Sequence, residues 1–173
     1  VKKDDKRTNP NNEGRAQTIR VPKLTVANIY SVNSMLGLKR LQLRLEWDRS
    51  LATEIAKINE SVAVFGDLNA VLNLDDPAEM HPAKLDGCEK TSSTTPEESV
   101  SLQQLIQSAN LTRVPQYGRN VEQTIVKYTF FGQGIDRRTG QGFNLDYVLL
   151  REARAQGYSL GESRRHDHLI MLC

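Results

Sequence analysis

The segment that most constrains the fold is a helix that runs almost directly into a short apolar strand. From Lys39 to Asn59, the residues Leu41, Leu45, Leu51, Ile55 and Ile58 recur at helical spacing with Arg and Glu between them. That periodicity predicts a helix with one apolar face. Ser61 to Phe65 follows as a short apolar run, the kind that is buried on both faces of a sheet. A helix feeding such a strand implies an α/β architecture. The strand ends in Gly66-Asp67-Leu68-Asn69, and open α/β sheets place their ligand sites at that end of their strands.

The rest of the chain fits around this unit. Thr18 to Tyr30 carries Ile19, Val21, Leu24, Val26 and Ile29 among polar residues, reading as one or two strands interrupted by Pro22. Residues 70–95, with Pro77 and Pro82, read as a long irregular stretch of the kind that is functional or disordered. A second helix opens on Thr95 as N-cap, Pro96 at the first position and Glu98 at the third, a capping box, and turns Leu102, Leu105, Ile106 and Ala109 inward. Strands are expected near Lys127–Phe131 and Phe143–Leu150, separated by a basic, Gly-rich loop from Gly132 to Gly142, with a last strand from Leu169. Residues 1–17, containing Asn9-Pro10-Asn11-Asn12 and Gly14, read as a polar loop or disordered tract, and residues 18–173 as one domain without internal repeats.

Composition excludes some classes and leaves others open. With 38% apolar residues, the 173-residue chain can build a core, although a mean hydropathy of −0.51 makes it wetter than average. A formal charge of +2 and a pI near 8.6 permit a polyanionic partner without arguing for one. Cys88 and Cys173 form no CxxC pair and no disulfide framework, so a reducing, intracellular setting is expected. No apolar run approaches the roughly 20 residues of a membrane helix, and no signal peptide is visible. The chain begins at Val1 and ends within Leu169-Ile170-Met171-Leu172, which reads as an unfinished strand, so a portion of a longer domain is expected.

Three places carry candidate chemistry. Asp67 and Asn69 lie two residues apart at a strand end and therefore point the same way, where a carboxylate can take a proton from water or hold a hard cation and an amide can orient that water or a phosphate oxygen. Both are equally ordinary turn formers. Asp146 sits inside the apolar run Asn144-Leu145-Asp146-Tyr147-Val148-Leu149-Leu150. Buried, it needs a partner such as an imidazole, whereas period-2 alternation also allows it a solvent face. Asp167-His168 precedes the last strand, and His168 is the natural partner for Asp146; a polar turn is the plainer reading.

The order of these features resembles the exonuclease–endonuclease–phosphatase superfamily, with its DNase-I-like fold, and most of all the class II apurinic/apyrimidinic (AP) endonucleases of the exonuclease III type. Further stretches carry the likeness: Arg40-Leu41-Gln42-Leu43-Arg44-Leu45-Glu46-Trp47-Asp48, Thr95-Pro96-Glu97-Glu98, Tyr128-Thr129-Phe130 and Gly142-Phe143-Asn144-Leu145-Asp146-Tyr147. The resemblance runs from about Thr25 to Cys173. It implies an α/β fold forming part of a four-layered sandwich, with mixed, mainly antiparallel sheets flanked by helices. It also implies a Mg²⁺- or Mn²⁺-dependent phosphodiesterase acting on DNA, with the full-length domain a monomer. By the same resemblance Asp67 is the general base, Asn69 its companion, and Asp146 the carboxylate orienting the catalytic imidazole of His168. Asp167 lies at the metal site. Tyr30 contacts phosphate, Asn33 contacts substrate, and Phe130, Phe143 and Leu145 line the pocket for an abasic sugar.

The sequence also departs from the family pattern. The early Asn and Glu that complete the family's metal site have no counterpart before Thr18, His166 stands where a small Ser is usual, and Tyr30 is followed by Ser-Val rather than a Pro-containing turn. A repair endonuclease is the leading expectation. The endonuclease domain of a non-long-terminal-repeat retrotransposon shares its catalytic residues, and a non-catalytic nucleic-acid-binding remnant is the reading from another class. A relative acting on phosphoinositides, sphingomyelin or poly(A) ranks lower, because no feature of the chain suits those substrates.

Overall fold

The computed structural model describes residues 13–77, 79–80, 91–114, 128–131, 142–153, 159–161 and 170–172. Strands β1 (Ala16–Val21) and β2 (Leu24–Tyr30) form an antiparallel hairpin. Its turn is Pro22-Lys23: proline fixes φ at the first position, and Lys23 takes the left-handed φ of 68° at the second. The stretch expected from Thr18 as one or two strands interrupted by Pro22 is two strands, the first starting two residues earlier, at Ala16. Helix α1 (Leu41–Ala56) then carries the chain across to β3 (Ser61–Asp67), which pairs with β2 in parallel. After α2 (Pro96–Ser108) come the short β4 (Thr112–Arg113) and β5 (Asp146–Arg151), and β5 pairs antiparallel with both β3 and β4. The five-stranded sheet has the order β1-β2-β3-β5-β4, mixed and mainly antiparallel. Strands β6 (Ser159–Gly161) and β7 (Ile170–Leu172) pair antiparallel with each other.

Both helices pack on one face of this sheet. Trp47, Leu51, Ala52 and Ile55 of α1 and Leu102 and Leu105 of α2 meet Ala27, Ile29, Val62, Val64, Tyr147 and Leu149 in the main core. Alternation sends the intervening residues to the other face, where Val114 and Val148 are buried with Phe65 and Leu150 half-buried beside them. β3 is therefore fully covered on the helical side and partly on the other, not equally on both as its apolar run suggests. Arg151, at the end of β5, donates from Nη1 to Ile55 O and Ala109 O, both at 3.3 Å, and from Nη2 to Ile58 O. A cation at the two helix C-termini satisfies carbonyls that have no partner within the helix.

The buried stripe of α1 differs from the expected one. It comprises Arg44, Trp47, Asp48, Leu51, Ala52 and Ile55, while Leu41 and Leu45 are only half-buried. The cause is a charged pair in the interior, Arg44 Nε to Asp48 Oδ2 at 2.8 Å, both side chains almost wholly excluded from solvent. The strand expected over Phe143–Leu150 begins only at Asp146, because the preceding backbone bonds elsewhere: Phe143 pairs with Phe130 in an isolated bridge and Asn144 N donates to Glu79 O at 2.8 Å. Of the strand expected near Lys127–Phe131, the described residues supply that one bridge at Phe130.

The capping box forms as the sequence predicts. Glu98 N donates to Thr95 Oγ1 and Thr95 N to Glu98 Oε2, each at 3.3 Å. Glu98 is fully buried, and its carboxylate also accepts from Ser34 Oγ at 2.6 Å and Thr95 Oγ1 at 2.8 Å. The cap thus ties α2 to the loop that leaves β2. Glu98→Ala removes the carboxylate that accepts from Thr95 N, Thr95 Oγ1 and Ser34 Oγ and strands those buried donors, so it is expected to lower unfolding free energy by about 2–4 kcal/mol, more than the roughly 1 kcal/mol of an ordinary cap. Urea denaturation of the variant against the parent chain measures this.

Candidate active site

The site is fixed by strand register. Tyr30 lies beside Asp67 in the parallel β2–β3 pair, and Asp67 lies opposite Asp146 in the antiparallel β3–β5 pair. Residues two along from each on the same face, Asn28, Phe65 and Val148, point away from the helices, so Tyr30, Asp67 and Asp146 form a row across three adjacent strands on that face. Leu68 N donates to Leu145 O at 2.7 Å, which makes Asp67 and Asp146 the non-hydrogen-bonded pair next to it. Cα atoms in such pairs lie about 4.5 Å apart, with side chains closer than in the alternate pairs.

Gly66 makes this register possible. Its φ is 131°, and a Cβ there would lie 2.1 Å from Ile29 O on β2. Any other residue would push the strands apart just before Asp67. Asn69 turns the chain with a φ of 48°, a left-handed conformation that Asn tolerates better than most residues. Its backbone N–H donates to Asp67 Oδ1 at 2.8 Å, which orients the carboxylate.

The two carboxamides are engaged with each other. Asn33 Nδ2 donates to Asn69 Oδ1 at 2.9 Å, and Asn69 Nδ2 donates to Ser31 O at 2.9 Å. Asn33 Oδ1 accepts from Met35 N at 2.7 Å and Ser92 Oγ at 2.8 Å. Asn69 is only 3% exposed, so in this arrangement it organises the loops after β2 and β3, while Asn33 remains half-buried. Tyr30, at 53% exposed, is open to solvent. Arg15, which sequence reading passed over, lies 4.9 Å from the Tyr30 ring centroid, and its Nη1 donates to Tyr30 O and Ser31 O, both at 3.3 Å. Glu13 bonds both Arg15 and Arg40, and the Arg15 hydrogen bond foremost holds its carboxyl below the usual range.

Phe130, Phe143 and Leu145 do come together, as a packed cluster with Val71, Leu74 and Met80; the two phenyl centroids are 5.1 Å apart. Leu145 is 2% and Phe143 8% exposed. Thr129 Oγ1 accepts from Leu145 N at 2.9 Å and Asp146 N at 3.1 Å, fixing the start of β5. Asp167 and His168 lie outside the described residues. Among the described residues no cluster of three or more His, Cys, Asp or Glu surrounds a single point. The row still offers two carboxylates, hard oxygen donors that suit Mg²⁺ or Mn²⁺ rather than softer metals.

Beneath the row, Tyr147 locks the loop after Asn69. Its hydroxyl oxygen accepts from Leu72 N at 3.0 Å and faces Asn144 O at 2.9 Å, Ala70 O at 3.0 Å and Glu79 Oε2 at 3.3 Å. Arg113 pairs with Glu79 and stacks over the Tyr147 ring. Burial first, and the Glu79 carboxylate second, push the Tyr147 hydroxyl well above its ordinary pKa. The folded protein therefore keeps a proton that the unfolded chain releases above about pH 10. This contribution to stability is intact below that pH and is lost as pH climbs toward the raised folded value. Denaturant midpoints across about pH 8 to 11 are expected to fall at the alkaline end, and less steeply in Tyr147→Phe, which cannot ionise.

No protein-family model matches the chain, and no curated protein matches it in sequence. Solved structures do. The AP endonuclease of Leishmania major superposes with a TM-score of 0.64 at 23% identity, over 80% of this chain and 46% of that one. An AP endonuclease from Archaeoglobus fulgidus gives 0.71 at 17% identity, over 94% and 65%. A 3′–5′ exonuclease from Neisseria meningitidis gives 0.63 at 17% identity, over 91% and 63%. The chain thus spans between about half and two thirds of the length of these structures. What it shares with them is the fold, which is α/β and DNase-I-like.

Proposed function

We propose that this chain carries part of the active site of a metal-dependent DNA phosphodiesterase of the AP-endonuclease kind. The observation that carries the reading is the row of Tyr30, Asp67 and Asp146 on one sheet face, at the strand ends where α/β folds place their ligands. The structural neighbours support it as a fold that hosts such chemistry: two are AP endonucleases, and a Neisseria 3′ phosphatase is bound to a product DNA hairpin. No helix among the described residues is long and apolar enough to cross a membrane. Two lone cysteines suit a reducing interior, and a nuclear site of action belongs to the same proposal.

Each residue then has a task. Asp67, its carboxylate oriented by the Asn69 N–H, takes the proton of the attacking water. Tyr30, exposed beside it, offers a phenol hydroxyl to a phosphate oxygen. Asp146 orients and charges the imidazole of His168, which donates to the scissile phosphate. Asn33 and Asn69 keep the two loops in register, and the Phe130–Phe143–Leu145 cluster forms the apolar wall against the sugar. Mg²⁺ or Mn²⁺, held by Asp167 with oxygens of the row, would supply positive charge against the charge developing on the phosphate oxygens.

Expressed in its natural reading frame, the protein is expected to nick DNA with Mg²⁺. Asp67→Asn, which keeps the shape but loses the base, and His168→Ala are each expected to lower kcat by about 10²–10⁴-fold. Tyr30→Phe removes one donor and is expected to cost about 10-fold or more. Single-turnover cleavage of an abasic and an intact duplex measures all three. Near-parental rates for both Asp67→Asn and His168→Ala would show that the chemistry lies elsewhere.

A further inference from the structure

Beside the main core lies a buried cation whose burial the apolar packing does not explain. Arg44, in the second turn of α1, is fully buried. Its Nε donates to Asp48 Oδ2 at 2.8 Å. The rest of the guanidinium leaves the helix: Nη1 donates to Val32 O at 3.1 Å and to Asn69 O at 2.8 Å, and Nη2 donates to Leu68 O at 2.7 Å. Val32 lies two residues beyond Tyr30, and Leu68 and Asn69 follow Asp67 directly. One nitrogen therefore bridges the loop that follows Tyr30 to the loop that follows Asp67. Asp48 fixes the guanidinium in turn, and its Oδ2 is itself held by Ser101 Oγ of α2 at 2.8 Å.

From this geometry we infer that Arg44 is a positioning residue for the site: it sets the distance between Tyr30 and Asp67 by clamping the carbonyls of both loops, without touching the substrate. The inference rests on the phosphodiesterase reading above. Stability alone is a weak reason for the pair, since a buried ion pair replaced by apolar side chains of similar volume often leaves a protein equally stable or more so. Geometry gives a better one. Three carbonyls from two separate loops converge on a planar fork of fixed N–H directions, and those directions hold the loops to one arrangement. Lysine keeps the charge but offers a single ammonium centre on a flexible stem, so it cannot span the same carbonyls. Misplacement of a reacting group by about 1 Å costs on the order of 10²-fold in rate.

The test is Arg44→Lys in the protein expressed in its natural reading frame, read by steady-state cleavage of abasic duplex DNA and by amide hydrogen exchange. The variant is expected to lose about 10–100-fold in kcat with KM changed less than about threefold. Exchange is expected to accelerate together in residues 31–33 and 68–70, and to stay unchanged in the β3–β5 ladder. A kcat within about threefold of the parent, or unchanged exchange in either loop, would overturn the inference. If Arg44→Lys does not fold, Asp48→Asn replaces it, removing the counter-charge that orients Arg44. Joint loosening of both loops then supports the clamp, and parental exchange in either overturns it. Should the parent protein cleave no phosphodiester at all, the phosphodiesterase reading fails, and the exchange result alone decides whether Arg44 holds the loops.

Discussion

β3 touches β2 on one side and β5 on the other, and its register with both is what assembles the site. The close passage at Gly66, where a side-chain carbon would collide with Ile29 O, brings β3 against β2 immediately before Asp67. One residue later the strand still pairs with both neighbours, so Tyr30, Asp67 and Asp146 end up side by side. A slip of one residue in either pairing would turn one of them toward the helices. The apolar residues that alternate with them, Ile29 on β2 and Tyr147 on β5, are anchored in the core and make such a slip costly.

Around that register the structure stacks polar ties at successive depths. Nearest the surface, the Asn33–Asn69 amide pair joins the loops after β2 and β3. Below it, Glu98 binds Ser34 to the cap of α2, and Arg44 binds Val32, Leu68 and Asn69 to α1. On the far side Tyr147 and Glu79 hold the chain that follows Asn69. Buried polar groups are costly unless satisfied, and a satisfied network specifies one geometry more narrowly than apolar packing does. The phosphodiester hydrolysis proposed for this site needs that rigidity, because it aligns a base, a water and a phosphate closely.

Some of this was legible in the sequence. The capping box at Thr95 and Glu98, the helix over Leu41–Ala56 and the strand ending in Gly-Asp-Leu-Asn carry local chemistry strong enough to be read residue by residue. The α/β class followed from the helix and strand, and the DNase-I-like type from a family resemblance in the order of Asp67 and Asn69, Asp146, and Asp167-His168. Arg44 and Asp48 were not legible as core, because charged residues at helical positions ordinarily face water; only the carbonyls of distant loops reveal why they are inside. Arg15 was hidden for a related reason, since it precedes β1 and its partner Tyr30 lies at the far end of β2. Asp146 was ambiguous in the letters between a buried and a solvent face; it is buried, at 7% exposed, opposite Asp67. Nothing in the letters alone distinguishes Phe130, Phe143 and Leu145 as the wall of a pocket from their observed packing with Val71 and Met80.

The central claim is that the row of Tyr30, Asp67 and Asp146 is where a divalent cation and a DNA phosphate meet the protein. Paramagnetic broadening by substoichiometric Mn²⁺, read in amide spectra of the protein with a non-hydrolysable DNA duplex, tests it most directly. The account predicts that signals of Tyr30 and Ser31, Asp67 and Leu68, and Asp146 and Tyr147 broaden together, and recover when Mg²⁺ is added in excess. Broadening centred on the groove between α1 and α2, around Arg49, Lys57 and Gln104, with the row unaffected, would contradict it.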